Sequence, residues 1–341
     1  AAATGARVIL RDEQADFGGS LAADPSLAVE GKAATAWVAD HLATLAGHAN
    51  VTLLSRTTAF GYFAHNFVAL AERVTDHLAE PDPRLPRERL WQVRAREVVL
   101  ATGAIEKPVV FPGNDRPGIM LADAARTYLN RYGVRAGERA IVITSDDSAY
   151  RAALDMHAAG TAIVAVADLR ADPGGAAVEA ARAAGIPVRP ATTISGTIGR
   201  LRVIGADLVS LKEAPLKGEG RDRLACDLVL MSGGWTPSVH LFSQSRGKLR
   251  FDEAQQMFVP GTSVQRERSA GGCRGTFDTA AAVEEGYAAG EGAARQTSVE
   301  PRATGVVKTA SRAPDFAPAL TSGPAAGRAF VDFQNDVTTK D

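Results

Sequence analysis

Short runs of almost wholly apolar residues constrain this chain most: Val8-Ile9-Leu10, Val51 to Leu54, Val98-Val99-Leu100, Ala140 to Ile143 and Thr161 to Ala167. A strand with one wet face alternates apolar and polar side chains. A run apolar throughout is covered on both faces, as in a parallel sheet with further layers packed over it. Between the runs lie stretches of helical periodicity. Lys32 to Ala46 places Ala33, Ala36, Trp37, Leu42 and Leu45 on one face, and Leu121 to Tyr132, Ser148 to Ala159 and Gly174 to Ala184 read likewise. Strands alternating with helices predict an α/β chain of strand–helix–strand units with right-handed crossovers.

The pattern runs once, is interrupted and then restarts. From Thr58 to about residue 96, Ala59 to Phe63, Asn66 to Val74 and Leu90 to Arg96 read as strands around the proline-rich turn Pro81 to Pro86. This is an antiparallel excursion within a first domain, residues 1–118. Arg139 to Ile143 then opens a second unit, residues 119–232. It continues through Ile186 to Arg189, Thr193 to Val209 and Leu224 to Leu230 as further strand. Residues 233–297 return to the first domain through the turn Ser232 to Pro237, a short helix near Val239 to Ser243, and an Ala/Glu-rich helix from Asp278 to Ala294. The fold expected is two nested Rossmann-like domains, the second inserted in the first. Residues 298–341 read as a Pro/Ala/Ser/Thr-rich linker or arm, Ser298 to Gly327, then a new apolar alternation from Ala329 to Phe333. A length of 341 residues agrees with two or three domains. Both ends read as cut: the chain opens on what looks like a helix tail, Ala1 to Ala3, stopped by Gly5.

Composition removes several function classes. A net charge of -1 offers no basic excess for nucleic acid or an anionic membrane. No run of about eighteen apolar residues marks a transmembrane helix, and no signal peptide is seen. Two cysteines, Cys226 and Cys273, supply neither a disulfide scaffold nor a four-cysteine iron–sulfur site, and a reducing compartment is the simpler expectation. The six histidines lack metal spacing. No residue is nominated as catalytic or as a metal ligand.

Five places could meet a ligand. Glu13, with Asp12 beside it, ends the first apolar run, where a carboxylate can accept from both hydroxyls of an adenosine ribose. A solvated strand-end acid is the other reading. The glycine fingerprint that should stand about twenty residues earlier is not in the chain. Gly18-Gly19-Ser20 lets backbone approach a ligand and present N–H groups, or is an ordinary turn. Ala101-Thr102-Gly103 keeps the end of another buried strand small. Gly271-Gly272-Cys273-Arg274 precedes a long helix, where a phosphate is favoured and Arg274 adds charge, or it is a plain glycine-rich turn. The last place argues the other way. Thr144-Ser145-Asp146-Asp147-Ser148 puts two carboxylates where a pyrophosphate turn needs glycine, so Asp147 or Ser145 is expected to cap a helix and the second unit to keep the fold without the ligand.

Taken together, the residues resemble a known family. Val8-Ile9-Leu10-Arg11-Asp12-Glu13-Gln14 with Phe17 to Leu21 is similar to the alpha subunit of heterotetrameric sarcosine oxidase. So are Glu97 to Ala104 followed by Glu106, Pro108, Phe111, Gly113 to Gly118 and Met120. So are Ser232-Gly233-Gly234-Trp235-Thr236-Pro237 and Phe330 to Val337. The Glu and Ala-Thr-Gly signals are shared with disulfide-reductase-like flavoproteins, so the resemblance implies disulfide-reductase-like FAD/NAD-binding domains. It further implies a cytoplasmic bacterial complex with beta, gamma and delta subunits that demethylates sarcosine to glycine, reduces oxygen to peroxide and passes a one-carbon unit to tetrahydrofolate. NAD would sit in this chain at Glu13, close to Gly18 and Gly19. The beta subunit would hold FAD and FMN, and folate chemistry would belong to an aminomethyltransferase-like domain absent here. The aspartate that such flavoproteins direct at a flavin ribityl chain is replaced by Gly272, which suits NAD better. An NAD- or FAD-dependent dehydrogenase subunit acting on amines, opines or hydroxyproline, and a non-catalytic scaffold subunit with a vestigial nucleotide site, are the alternatives.

Overall fold

The computed structural model describes residues 1–212, 221–297 and 327–341. The chain divides into two compact units. Ala1–Ile105 and the segment from Thr236 through the helix Thr279–Gln296 form the first. Glu106–Trp235 and the described C-terminal residues form the second.

The first unit contains two parallel strand pairs and an antiparallel sheet. Val8–Arg11 runs parallel to Val51–Leu54, and Val98–Leu100 runs parallel to Glu267–Ser269. Thr57–Phe63, Phe67–Arg73 and Glu88–Arg94 form the expected antiparallel excursion. Leu10 is 37% exposed, so the first apolar run is a strand but not a buried one. Among the described residues it pairs with Val51–Leu54 alone, and its faces are only partly covered. A hairpin that the apolar runs did not suggest, Lys248–Asp252 with Met257–Thr262, also belongs here.

The second unit is built on five parallel strands in the order Ile119–Leu121, Leu228–Ser232, Arg139–Thr144, Ala162–Asp168, Val188–Arg189. Alternation within the central strands divides two cores. Ala140, Val142, Leu228 and Leu230 pack with helices Ala122–Tyr132, Ser148–Ala158 and Ala176–Ala183. Ile141, Ile143, Val229 and Met231 pack with Ile194, Leu208 and Phe111. Both faces are covered, which is why these runs are apolar throughout. Ile194 and Leu208 belong to a three-stranded antiparallel sheet, Thr192–Ile198, Gly205–Ser210 and Asp222–Ala225.

Two long strands read from the sequence are each divided. Thr193 to Val209 breaks at Gly199, whose φ is +136° and whose added Cβ would lie 1.9 Å from the Arg202 carbonyl oxygen. That backbone is closed to side chains, so the chain turns there. Leu224 to Leu230 changes sheets at Cys226-Asp227, where the Asp227 carboxylate accepts from the backbone N–H groups of Glu138 and Arg139. The arm expected over Ser298 to Gly327 lies, up to residue 326, outside the described residues.

The final apolar alternation folds back onto the second unit as the hairpin Phe330–Asp332 and Val337–Thr338. Buried Asn114 fixes it: its side chain donates to the Phe330 carbonyl at 2.9 Å and accepts from the Phe330 N–H at 2.9 Å. Asn114→Ala would leave both backbone groups buried and unpaired. We expect a loss of about 2–3 kcal/mol, measured by denaturant unfolding, with faster hydrogen exchange over residues 327–341.

Candidate functional site

In the first unit the chain after Val8–Arg11 turns immediately. The Asp12 N–H continues the pairing to Leu54, and its side chain accepts from the Gln14 N–H at 2.9 Å. That bond folds the Asp12 carboxylate into its own turn. Glu13 is exposed. The structure thus separates two neighbouring acids: Asp12 shapes the strand end, and Glu13 presents a carboxylate from it. The Arg11 guanidinium lies near both, and burial lowers its pKa from the ordinary value against the raising effect of Glu13 and Asp12.

Gly18 has φ +121°, and an added Cβ would press on Val38 of the helix Ala34–Ala46 at 3.3 Å. Its lack of a side chain serves conformation and helix packing together. Gly19 opens a short 3-10 turn, Gly19–Ala23, with φ +53° and open space where a Cβ would stand. Ser20 beside it is exposed.

Leu100 ends the other parallel pair. Ala101 is exposed, and Thr102 donates its hydroxyl to the Ser238 carbonyl at 2.6 Å. Gly103 has φ +69° and open space at its Cβ position. Gly272 packs directly against it, an added Cβ standing 3.3–3.4 Å from Gly103 and Ala104 backbone atoms. Two glycine-bearing loops therefore meet backbone to backbone. The Gly271 N–H donates to Glu285 at 2.8 Å, and Thr276 donates to the same carboxylate. Asp278 caps the helix that follows by accepting from the Ala281 N–H. Two carboxylates, Glu285 and Asp278, thus take up donors beside Gly271–Arg274, which opposes a further negative charge there. Arg274 is exposed, and Cys273 is buried with its thiol directed to the Leu100 carbonyl.

One apolar cluster carries both loops. Val283 and Tyr287 of the helix Thr279–Gln296 pack with Leu21, Leu27, Val29, Ala34 and Trp37. The turn at Gly18–Ser20 and the turn at Gly271–Arg274 are thereby set on common packing within one unit.

The equivalent crevice of the second unit, at the carboxyl ends of its parallel strands, is filled by its own side chains. Asp168 ends the strand Ala162–Asp168 fully buried, accepting from Tyr150 at 2.7 Å and from the Arg170 guanidinium at 2.8 and 3.0 Å. Arg170 also donates to Asp147 at 2.9 Å. These carboxylates hold Arg170 protonated above its ordinary value, against desolvation. Neither Asp147 nor Ser145 caps the following helix by its side chain. Asp147 has helical φ and ψ and turns to Arg170, and Asp146 accepts from the Ser148 N–H instead. Sequence reasoning nominated neither Asp168 nor Arg170, although an acid at the end of an apolar strand was the very signal used for Glu13. Among the described residues, no cluster of three or more His, Cys, Asp or Glu suits a metal ion, and no helix is long and apolar enough to cross a membrane.

No family model matches the chain. It is 42% identical, over its full length, to the sarcosine oxidase alpha subunit of Corynebacterium sp. (strain P-1), of which it covers 36%. It is 39% identical over 99% of its length to the sarcosine oxidase alpha subunit of Rhizobium meliloti (strain 1021), of which it covers 33%. The chain thus spans about a third of the length of these relatives. Among solved structures, T. acidophilum thioredoxin reductase matches with a TM-score of 0.62 at 18% identity, covering 87% of this chain and 92% of that one. L-proline dehydrogenase from P. horikoshii matches with a TM-score of 0.62 at 19% identity, covering 88% and 54%. By name all of these are oxidoreductases or their subunits, and the expected disulfide-reductase-like α/β fold is the one observed. Kinship in sequence along its whole length relates this chain to the sarcosine oxidase alpha subunits, and its likeness to the reductase and the dehydrogenase is one of fold.

Proposed function

We propose that this chain is the NAD-holding part of the alpha subunit of a sarcosine-oxidising complex. The exposed Glu13 carboxylate at a parallel strand end carries the proposal, because a carboxylate there can take two vicinal ribose hydroxyls. Gly18, Gly19 and Ser20 form the adjoining turn, and Gly103 with Gly272 leaves a side-chain-free approach. Glu285 and Asp278 favour hydroxyl-bearing over phosphate-bearing parts of a ligand near Gly271. Gly272 offers no carboxylate to a flavin ribityl chain. Bound NAD supplies a nicotinamide ring. Ala101, Gly103 and Gly272 offer it no acid or base, so this chain binds and orients the dinucleotide as a fixed ligand. The second unit, its crevice filled by Arg170, holds none.

Kinship with the sarcosine oxidase alpha subunits supports the larger reading. In it, beta, gamma and delta subunits complete a cytoplasmic complex, FAD and FMN serve amine oxidation with oxygen reduced to peroxide, and tetrahydrofolate takes the one-carbon unit.

The experiment is to denature the full-length complex, release its nucleotides and identify them by chromatography. NAD together with flavins is the expected result. Flavin on the alpha chain without NAD would favour a component of an amine dehydrogenase. Kinship with one of the opine oxidase subunits of Agrobacterium tumefaciens (strain Ach5), 26% identical over half of this chain, also points to that reading. No nucleotide at all would favour a scaffold. In the full-length chain, Glu13→Ala should lower NAD retention roughly tenfold to a hundredfold per ribose bond lost, since a hydrogen bond to a charged group contributes about 1.5–3 kcal/mol. Unchanged NAD content would remove Glu13 from the site.

A further inference from the structure

The mouth of the second unit's sheet holds another pair of carboxyl groups, beside the Arg170 network. Glu106 is 6% exposed and Asp146 fully buried. Glu106 accepts from the Asp123 N–H at 2.9 Å, at the start of the helix Ala122–Tyr132. Asp146 accepts from the Ser148 N–H at 2.6 Å and from the Ser232 hydroxyl at 3.2 Å. The Ser232 hydroxyl also interacts with Glu106.

Hydrogens can be counted here. Ser232 has one hydroxyl hydrogen, and the geometry gives it to Asp146. Glu106 Oε1 is buried and lies within hydrogen-bond geometry of no described residue. An ionised carboxylate with one oxygen stranded away from water is costly. Carrying a proton removes the charge and turns the carboxyl group into a donor, for which the Ser232 oxygen, itself donating to Asp146, is the nearby acceptor.

The surrounding charges select which acid keeps it. Glu106 feels Asp123, from the helix Ala122–Tyr132, and Asp146, from the turn after Arg139–Thr144. Both are negative. Arg170, beyond the strand Ala162–Asp168, and Lys107 act on Asp146. The cations stand on the Asp146 side and the anions face Glu106.

We propose that Glu106, Ser232 and Asp146 form a buried proton store, in which Glu106 is a neutral carboxylic acid at neutral pH, Asp146 is the carboxylate and Ser232 joins them. Burial raises both carboxyl groups above their ordinary values, Glu106 to about 8. Release transfers the proton to solvent base and leaves two negative charges joined by a single hydroxyl. The second unit therefore changes its internal charge in mildly alkaline solution. This stands on that unit alone, whichever nucleotide the first unit holds.

Infrared spectroscopy of the full-length protein in deuterium oxide tests it. The unaltered protein should show, at neutral pH, a carbonyl band of a protonated carboxylic acid that fades as pH passes about 8. Glu106→Gln should abolish that band at neutral pH, with circular dichroism confirming the fold. Ser232→Ala should keep the band and shift both its frequency and its midpoint. Absence of the band from the unaltered protein at neutral pH would overturn the proposal. So would a band that survives Glu106→Gln and disappears in Asp146→Asn.

Discussion

Arg170→Met should destabilise the second unit by about 3–5 kcal/mol, the cost of removing one partner from a buried ion pair. The guanidinium donates twice to Asp168 and once to Asp147, and its side chain is 7% exposed. Methionine keeps the length and the apolar stem and removes every donor. Among the described residues, fully buried Asp168 would retain the Tyr150 hydroxyl and the backbone N–H of residue 170. The cost comes from the stranded charge, since a buried pair intact contributes little net stability. The triple change Arg170→Met, Asp147→Asn, Asp168→Asn removes the charges with the cation and should recover most of the loss. Urea unfolding of the single and triple variants measures both. A loss below about 1 kcal/mol in the single variant, the range of an exposed pair, would mean that solvent reaches Asp168 and that the crevice is open to a ligand.

This network also marks what the sequence could tell. The central strands of the second unit were legible because both faces are buried and leave no polar residue in Ala140 to Ile143. The antiparallel excursion was legible from its β-rich runs around a proline-rich turn. The hairpin Lys248–Asp252 with Met257–Thr262 was missed although Lys248-Leu249-Arg250-Phe251-Asp252 alternates strictly. Leu249 and Phe251 are 37% and 41% exposed, and the buried side chains of this hairpin, Met257 and Val259, come from the other strand. Glycines could be read as turns, but not their neighbours. That Gly18 packs on Val38 and Gly272 on Gly103 depends on contacts between residues far apart in the chain. The carboxyl groups were least legible. Asp168 and Arg170 are two residues apart, yet Asp147 comes from the turn before the preceding helix. Glu106, Asp146 and Ser232 come from three separate strand ends. Each reads locally as an ordinary solvated residue, and only the shared sheet mouth brings the three together.

That cluster yields the second large effect, on the pH dependence of stability. The Glu106 carboxyl lies near 4.5 in an unfolded chain and about 8 in the folded one, burial being the main cause. Between those values the folded state holds a proton that the unfolded state has released. Stability from this group is therefore complete below about 4.5 and is lost as pH rises toward 8. Each pH unit is worth about 1.4 kcal/mol, so the ceiling across the window is about 4–5 kcal/mol. Asp146, also raised by burial, acts with the same sign. Carboxyl groups lowered by their partners, such as Asp207 beside Arg223 and Asp227 through backbone N–H bonds, exert the opposite effect only in more acidic solution and leave this window clear. Glu106→Gln keeps a neutral side chain at every pH and abolishes this part of the slope. Urea unfolding at a series of pH values should show the variant gaining on the unaltered protein steadily from about pH 5 to about pH 8 and holding a constant lead beyond. Parallel curves across that range would mean that Glu106 is ionised in the folded protein, and that the stranded Oε1 is served by water instead.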